Sequence, residues 1–107
     1  MKNYEIANIN NALSGLVEQK LTGRLKFKLF KVKRTCEQAV ELISQAMEGV
    51  ENHEEQMGIL HEEQDIQLDK FTMDELDGLA LSMKDLGNLA PVIDFGEELE
   101  GESHEKE

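Results

Sequence analysis

The chain has 107 residues, enough for one domain with a modest core, since a domain of this size buries roughly 65% of the surface its unfolded chain exposes. It is 39% hydrophobic and 32% charged but has no Trp, one Tyr and four Phe, so aliphatic contacts must dominate the packing. One cysteine excludes an intrachain disulfide framework, and no stretch approaches the ~20 apolar residues of a membrane span.

The net charge of −12 is unevenly placed. From Met1 to Glu37 eight Lys or Arg stand against three Glu, a local net of +5, whereas from Gln38 to Glu107 three Lys stand against twenty acids, a local net of −17. Such a molecule repels nucleic acid and anionic membrane over most of its surface and favours a partner with a basic face. No apolar run of seven residues follows Met1-Lys2, so the expected location is the cytoplasm, that of the host if the protein is viral, or the inside of a virus particle.

In chain order, Ile6, Ile9, Leu13, Leu16 and Val17 fall at steps of three and four and predict a first helix over Asn3 to Gln19. Gly23, within Leu21-Thr22-Gly23-Arg24, marks its close and a tight reversal. From Leu25 a second stripe runs Leu25, Leu29, Val32, Cys36, Ala39, Ile43, Ala46 and Val50, predicting a long helix that ends between Glu55 and Glu63 in spite of Gly49 and Gly58. Its far end requires cover from elsewhere. Leu25-Lys26-Phe27-Lys28-Leu29 also alternates as a strand does, an alternative to its place in the helix.

Asp65 to Phe71 alternates polar and apolar residues and is the strand candidate, with a second copy of the chain or another edge as its partner. Capping boxes at Thr72-Met73-Asp74-Glu75 and Ser82-Met83-Lys84-Asp85 each predict a short helix, the first to Gly78 and the second to about Ala90, before Pro91. Met73, Leu76, Leu79, Leu81, Met83, Leu86, Leu89 and Ile93 are the expected cover for the long helix, with Met47, Met57, Met73 and Met83 as gap fillers. Residues 96–107 hold too little apolar surface to order and are expected to form an acidic flexible tail. The expectation is an all-α domain over 1–95: an N-terminal helical hairpin with one long helix, two short C-terminal helices and a short strand at 65–71.

Little chemistry is encoded. His53-Glu54-Glu55 and His61-Glu62-Glu63 place two histidines ~12 Å apart along a helix, which is poor geometry for one metal ion, so exposed polar residues are expected. Cys36, with Lys33 and Arg34 near it, has the neighbours of an activated thiol, yet it sits on the apolar seam and reads as a small buried hydrophobe. No calcium loop, phosphate loop or dinucleotide fingerprint occurs, so no catalytic residue, cofactor or metal is expected and the protein is read as non-enzymatic.

The unusual feature is Arg24, Lys26, Lys28, Lys31, Lys33 and Arg34, six of eleven positive charges within eleven residues, with Phe27 and Phe30 interleaved and off the main seam. These eight residues are the candidate partner-binding set. One reading is a nucleic-acid contact with stacking aromatics. A second sets the basic segment against acidic parts of its own chain or of a symmetry mate, and it is favoured because the −17 of Gln38 to Glu107 opposes a polyanion within ~10 Å.

Asn11-Ala12-Leu13-Ser14-Gly15-Leu16, then Lys20-Leu21-Thr22-Gly23-Arg24-Leu25-Lys26-Phe27-Lys28-Leu29 leading into a long charged helix, resembles small uncharacterised proteins encoded by tailed phages and prophages of Gram-positive bacteria. The resemblance covers roughly the first ninety-five residues, through Ile66 to Phe71 and Ser82 to Ile93. It implies a phage accessory role and brings no activity and no functional residue. The expected function is therefore protein–protein binding, in particle assembly or in inhibition of a host factor, with a homodimer through the uncovered part of the long helix. The alternative is an acidic nucleic-acid mimic that blocks a host nucleic-acid-binding protein.

Overall fold

Two apolar stripes meet to form the core. The computed structural model describes residues 1–20 and 23–95. Helix α1, Asn3–Leu16, buries Ile6, Ile9, Ala12, Leu13 and Leu16 along one face. The Glu5 carboxylate accepts the Lys2 amide N–H at 2.9 Å, satisfying one donor that the first turn leaves open. Helix α2, Gly23–Met47, lies against α1 and contributes Leu29, Val32, Cys36, Ala39 and Ile43. The segment Leu25 to Leu29 is helical: its outer leucines, four residues apart, turn inward together while Phe27 between them faces out. Gly23 has φ +63°, the left-handed conformation expected of it, although it stands at the start of α2. Leu21 and Thr22 of the expected reversal, and the tail expected over 96–107, lie outside the described residues.

α2 stops well before the expected region between Glu55 and Glu63. Gly49 turns left-handed at φ +78°, and the Val50 N–H donates to the Met47 carbonyl at 2.9 Å, which closes the last turn. Asn52 then caps a separate helix, α3, His53–His61, its side-chain oxygen accepting the N–H groups of Glu54 and Glu55 at 2.8 and 3.3 Å. α3 packs on both α1 and α2, so a break in the predicted long helix supplies part of its own cover.

The chain after α3 is clipped to the N-terminus. Lys2 and Glu63 form an isolated antiparallel bridge, Asn3 donates its N–H to the Glu62 carbonyl at 2.9 Å, and Gln64 donates its N–H to the Met1 carbonyl at 2.9 Å. Asn3 is a buried polar residue, and its side chain is satisfied on both sides: Nδ2 donates to the Ile59 carbonyl at 2.7 Å and Oδ1 accepts from Gln64 Nε2 at 2.9 Å.

Of the strand expected over 65–71, only its end forms. β1, Phe71–Thr72, pairs in parallel with β2, Ile93–Asp94, of the same chain, so the partner is internal. Ile66 and Leu68 lean on the core without a ladder, because a neighbouring backbone runs alongside only at 71–72. Helix α4, Met73–Leu76, follows Thr72, whose hydroxyl accepts the Glu75 N–H at 3.1 Å, and Gly78 at φ +90° turns the chain away. Helix α5, Met83–Leu89, starts from the Ser82 cap, passes into a 3-10 turn over Ala90–Val92 and packs on α1. The Gln19 side chain fastens the loop before it, donating to the Ala80 carbonyl and accepting the Ala80 N–H, both at 3.1 Å.

The expected C-terminal cover holds for Leu76, Leu89 and Ile93, which are buried, and for Leu79, Leu81 and Leu86, which are half-buried. Met73 and Met83 are exposed, as is Met57, so these three are not gap fillers. The molecule is mainly helical, and no helix among the described residues is long and apolar enough to cross a membrane.

Candidate interaction surface

At 100° per residue, Phe27, Phe30 and Arg34 fall within about 60° of one another around α2, roughly opposite the buried seam of Leu29, Val32 and Cys36. The structure accordingly leaves Phe27 71% and Phe30 58% exposed. Two adjacent phenylalanines on water are costly: burying each would release roughly 1.5–3 kcal/mol. Arg24 and Lys26 flank Phe27 on its two sides and are exposed, and Arg34 continues the stripe. Phe30 and Arg34 also line an open cleft of about 650 Å³ with Asn10 of α1 and with Glu37, Gln38, Val40 and Glu41 of α2.

The eight candidate residues do not act alike. Lys28 is turned inward: its Nζ donates to Glu75 Oε1 at 2.9 Å and to the Lys70 carbonyl, and it lies 4.9 Å from the centre of the Phe71 ring. Its hydrogen bond, helped by the Thr72 N–H, holds the Glu75 carboxyl below its ordinary range. Lys33, only 14% exposed, donates to Asn10 Oδ1 at 3.0 Å and pairs with Glu37 at 3.2 Å one turn on. Lys31 reaches Asp69 at 3.7 Å in an exposed pair of small energetic weight. Lys28 and Lys33 therefore tie α2 to the rest of the fold, through Glu75 and Asn10, and Lys31 adds a weak exposed pair. Arg24, Lys26, Phe27, Phe30 and Arg34 remain as the outward set, and none of the three cations makes an ion pair with another described residue.

The other candidates resolve plainly. Cys36 is fully buried, and burial pushes its thiol up to about 11 against the opposing pull of Lys33, the opposite of the shift that activates a thiol. His53 and His61 stand at opposite ends of α3; the His61 ring tilts on Tyr4 at 5.3 Å and its Nδ1 lies 2.8 Å from the Met57 carbonyl. No group of three or more His, Cys, Asp or Glu among the described residues is placed to hold a metal ion. Glu37 and Glu41 were not among the candidates, although Glu37, three residues from Arg34 and seven from Phe30, and Glu41, seven from Arg34, mark the same helix face.

No family model, curated protein or solved structure matches the chain.

Proposed function

We propose that this is a binding protein, without catalytic activity, that docks a partner protein carrying an acidic, apolar-studded segment onto the outward face of α2. The observation that supports this reading is the exposure of Phe27 and Phe30 between uncommitted cations. Aromatic anchors ringed by arginine are the residue types that concentrate binding energy at protein interfaces. Nucleic acid fits less well, because residues 38–107 carry −17. On this proposal the protein is an accessory factor of assembly or of host inhibition acting in the cytoplasm of an infected cell, a reading the phage resemblance supports. Self-association through α2 belongs to the same proposal, with Leu42 as the exposed apolar residue on its C-terminal half.

A second reading rests on α3. None of its residues is buried, and Glu51, Glu54, Glu55, Glu62 and Glu63 lie on or beside it, an acidic surface of the kind that occupies a basic groove in place of nucleic acid.

Site-directed photocrosslinking separates these readings. A photoreactive residue replacing Phe27 or Phe30 is expected to trap an acidic protein in host cells, while one replacing Met83, which is 84% exposed on α5, traps none. Crosslinks to nucleic acid, or the same adduct from position 83, would overturn the assignment. Adducts formed only from α3 positions, to a basic protein, would favour the second reading.

A further inference from the structure

The outward face of α2 changes sign along its length. Phe27, Arg34, Glu41 and Glu48 recur every seven residues, a repeat that drifts only about 20° around a helix. Arg24, Lys31, Gln38 and Gln45 form a second such row about 60° away, and both rows are exposed throughout. Up to Arg34 their charges are positive, and beyond Gln38 they are negative. Phe30 and Leu42 flank the rows, 58% and 57% exposed. An occupant acidic along its whole length meets Glu41 and Glu48 on the second half, and a basic one meets Arg24 and Arg34 on the first. The face fits an occupant whose charges run in the reverse order, and α2 itself, turned end for end, has that order.

We propose that the partner of this face is a second copy of the chain, docked α2 on α2 in antiparallel fashion about a two-fold axis at the level of Cys36. The proposal rests on the reading above that the outward face of α2 is the binding surface. The acidic, apolar-studded segment that the basic half requires is then the second half of α2 itself, with Leu42 beside Glu41. Antiparallel helices packed along seven-residue rows set one row against the other row of the partner. Arg24 of one copy meets Glu48 of the other, Lys31 meets Glu41, Phe27 lies over Gln45 and Arg34 over Gln38, each contact occurring twice. Phe30 comes beside Ser44 and Gln45 of the second copy, at an open hollow of about 430 Å³ that Ile43 and Met47 also line. Neither Glu41 nor Glu48 makes an ion pair with another described residue, while Glu37, the acid nearest the axis, is already held by Lys33 at 3.2 Å. The pair of Lys31 with Asp69, exposed and 3.7 Å long, is weak enough to exchange. A parallel pair would set each charge against its like. One face of a 25-residue helix, about 38 Å long, makes a small interface, so the dimer is weak and salt-sensitive.

Sedimentation velocity of the full chain, up to high micromolar concentration, should show a reversible monomer–dimer equilibrium that weakens several-fold near 1 M salt, where the Debye length is ~3 Å. Arg24→Glu with Lys31→Glu makes the face wholly acidic, and Glu41→Lys with Glu48→Lys makes it wholly basic. Each double variant alone should dimerise more weakly by roughly tenfold or more. An equimolar mixture of the two should recover a dimer at least as tight as that of the unaltered chain, which also shows that both are folded. Direction is read by mixing isotope-labelled chain with chain carrying a nitroxide at Gln45→Cys; buried Cys36 stays out of the labelling. Antiparallel docking broadens the amide signals around Phe27 of the labelled copy, and parallel docking those around Gln45. A strictly monomeric unaltered chain, a dimer indifferent to salt, reversed variants that do not rescue each other, or broadening around Gln45 would overturn the proposal. A monomer whose photoreactive position 27 still traps an acidic host protein sinks the second copy and leaves the binding surface standing. No adduct from positions 27 and 30, to a copy or to any other protein, sinks the surface itself.

Discussion

Lys28 and Glu75 meet at 2.9 Å across α2 and α4, forty-seven residues apart in sequence, with the Lys28 ammonium 4.9 Å from the centre of the Phe71 ring. This one cation ties the long helix to the small C-terminal unit. Lys28→Ala removes an ion pair, a hydrogen bond to a carbonyl and a cation–π contact, and should cost roughly 1–2 kcal/mol in chemical denaturation. Lys26→Ala, two residues away with no partner among the described residues, should stay within about 0.5 kcal/mol. Equal losses for the two would contradict the division of the basic cluster into inward and outward members.

The same pair sets a pH dependence. Glu75 has a lowered carboxyl value in the folded state, from an ordinary 4.5, so its contribution is complete above 4.5 and fades as pH falls through the lowered value. The stability gap between the unaltered protein and Glu75→Gln should be constant near neutrality and shrink below pH 4.5. A gap that grows on acidification would reverse the sign and refute the contact.

Two phenylalanines, one buried and one exposed, give a second contrast. Phe71 is 1% exposed, and Phe71→Ala should cost roughly 3–5 kcal/mol, whereas Phe27→Ala should change stability by less than about 0.5 kcal/mol. Thermal melts of both variants would show it.

At Gly49 the continuous-helix expectation and the structure predict opposite signs. In a helix interior Gly49→Ala would gain about 1 kcal/mol; with φ +78° and open space around it, the alanine should lose roughly 1–2 kcal/mol. Asn52→Ala should cost a further ~1 kcal/mol through the lost cap of α3.

Cys36 should resist a thiol reagent in the native protein and react fully in denaturant, since the thiol is buried and pushed up to about 11. Rapid native labelling would mean that α1 and α2 separate readily.

The local parts of the fold were legible. Both capping boxes start helices, the seam of Leu29, Val32, Cys36, Ala39 and Ile43 faces inward, and Phe27 and Phe30 fall off it. The break after Met47 was written in Gly49 and in Asn52 with Glu55 three residues on, but an unbroken apolar period through Val50 outweighed it. The pairing of Phe71 with Ile93 has no local signature, because it depends on how the chain between them returns. The site was legible as a cluster and not as a division: Lys26 and Lys28 are alike in sequence, and only the docking of α4 makes one structural and leaves the other outward.

The double variant Phe27→Ser, Phe30→Ser tests the central claim most directly, with melting temperature and capture of the crosslinked partner measured on the same protein. The expected result is a melting temperature within about 5 °C of the unaltered chain, equivalent to roughly 1 kcal/mol, with capture abolished. Capture at full strength from a folded double variant, or collapse of the fold on making it, would contradict the outward face of α2 as the binding surface.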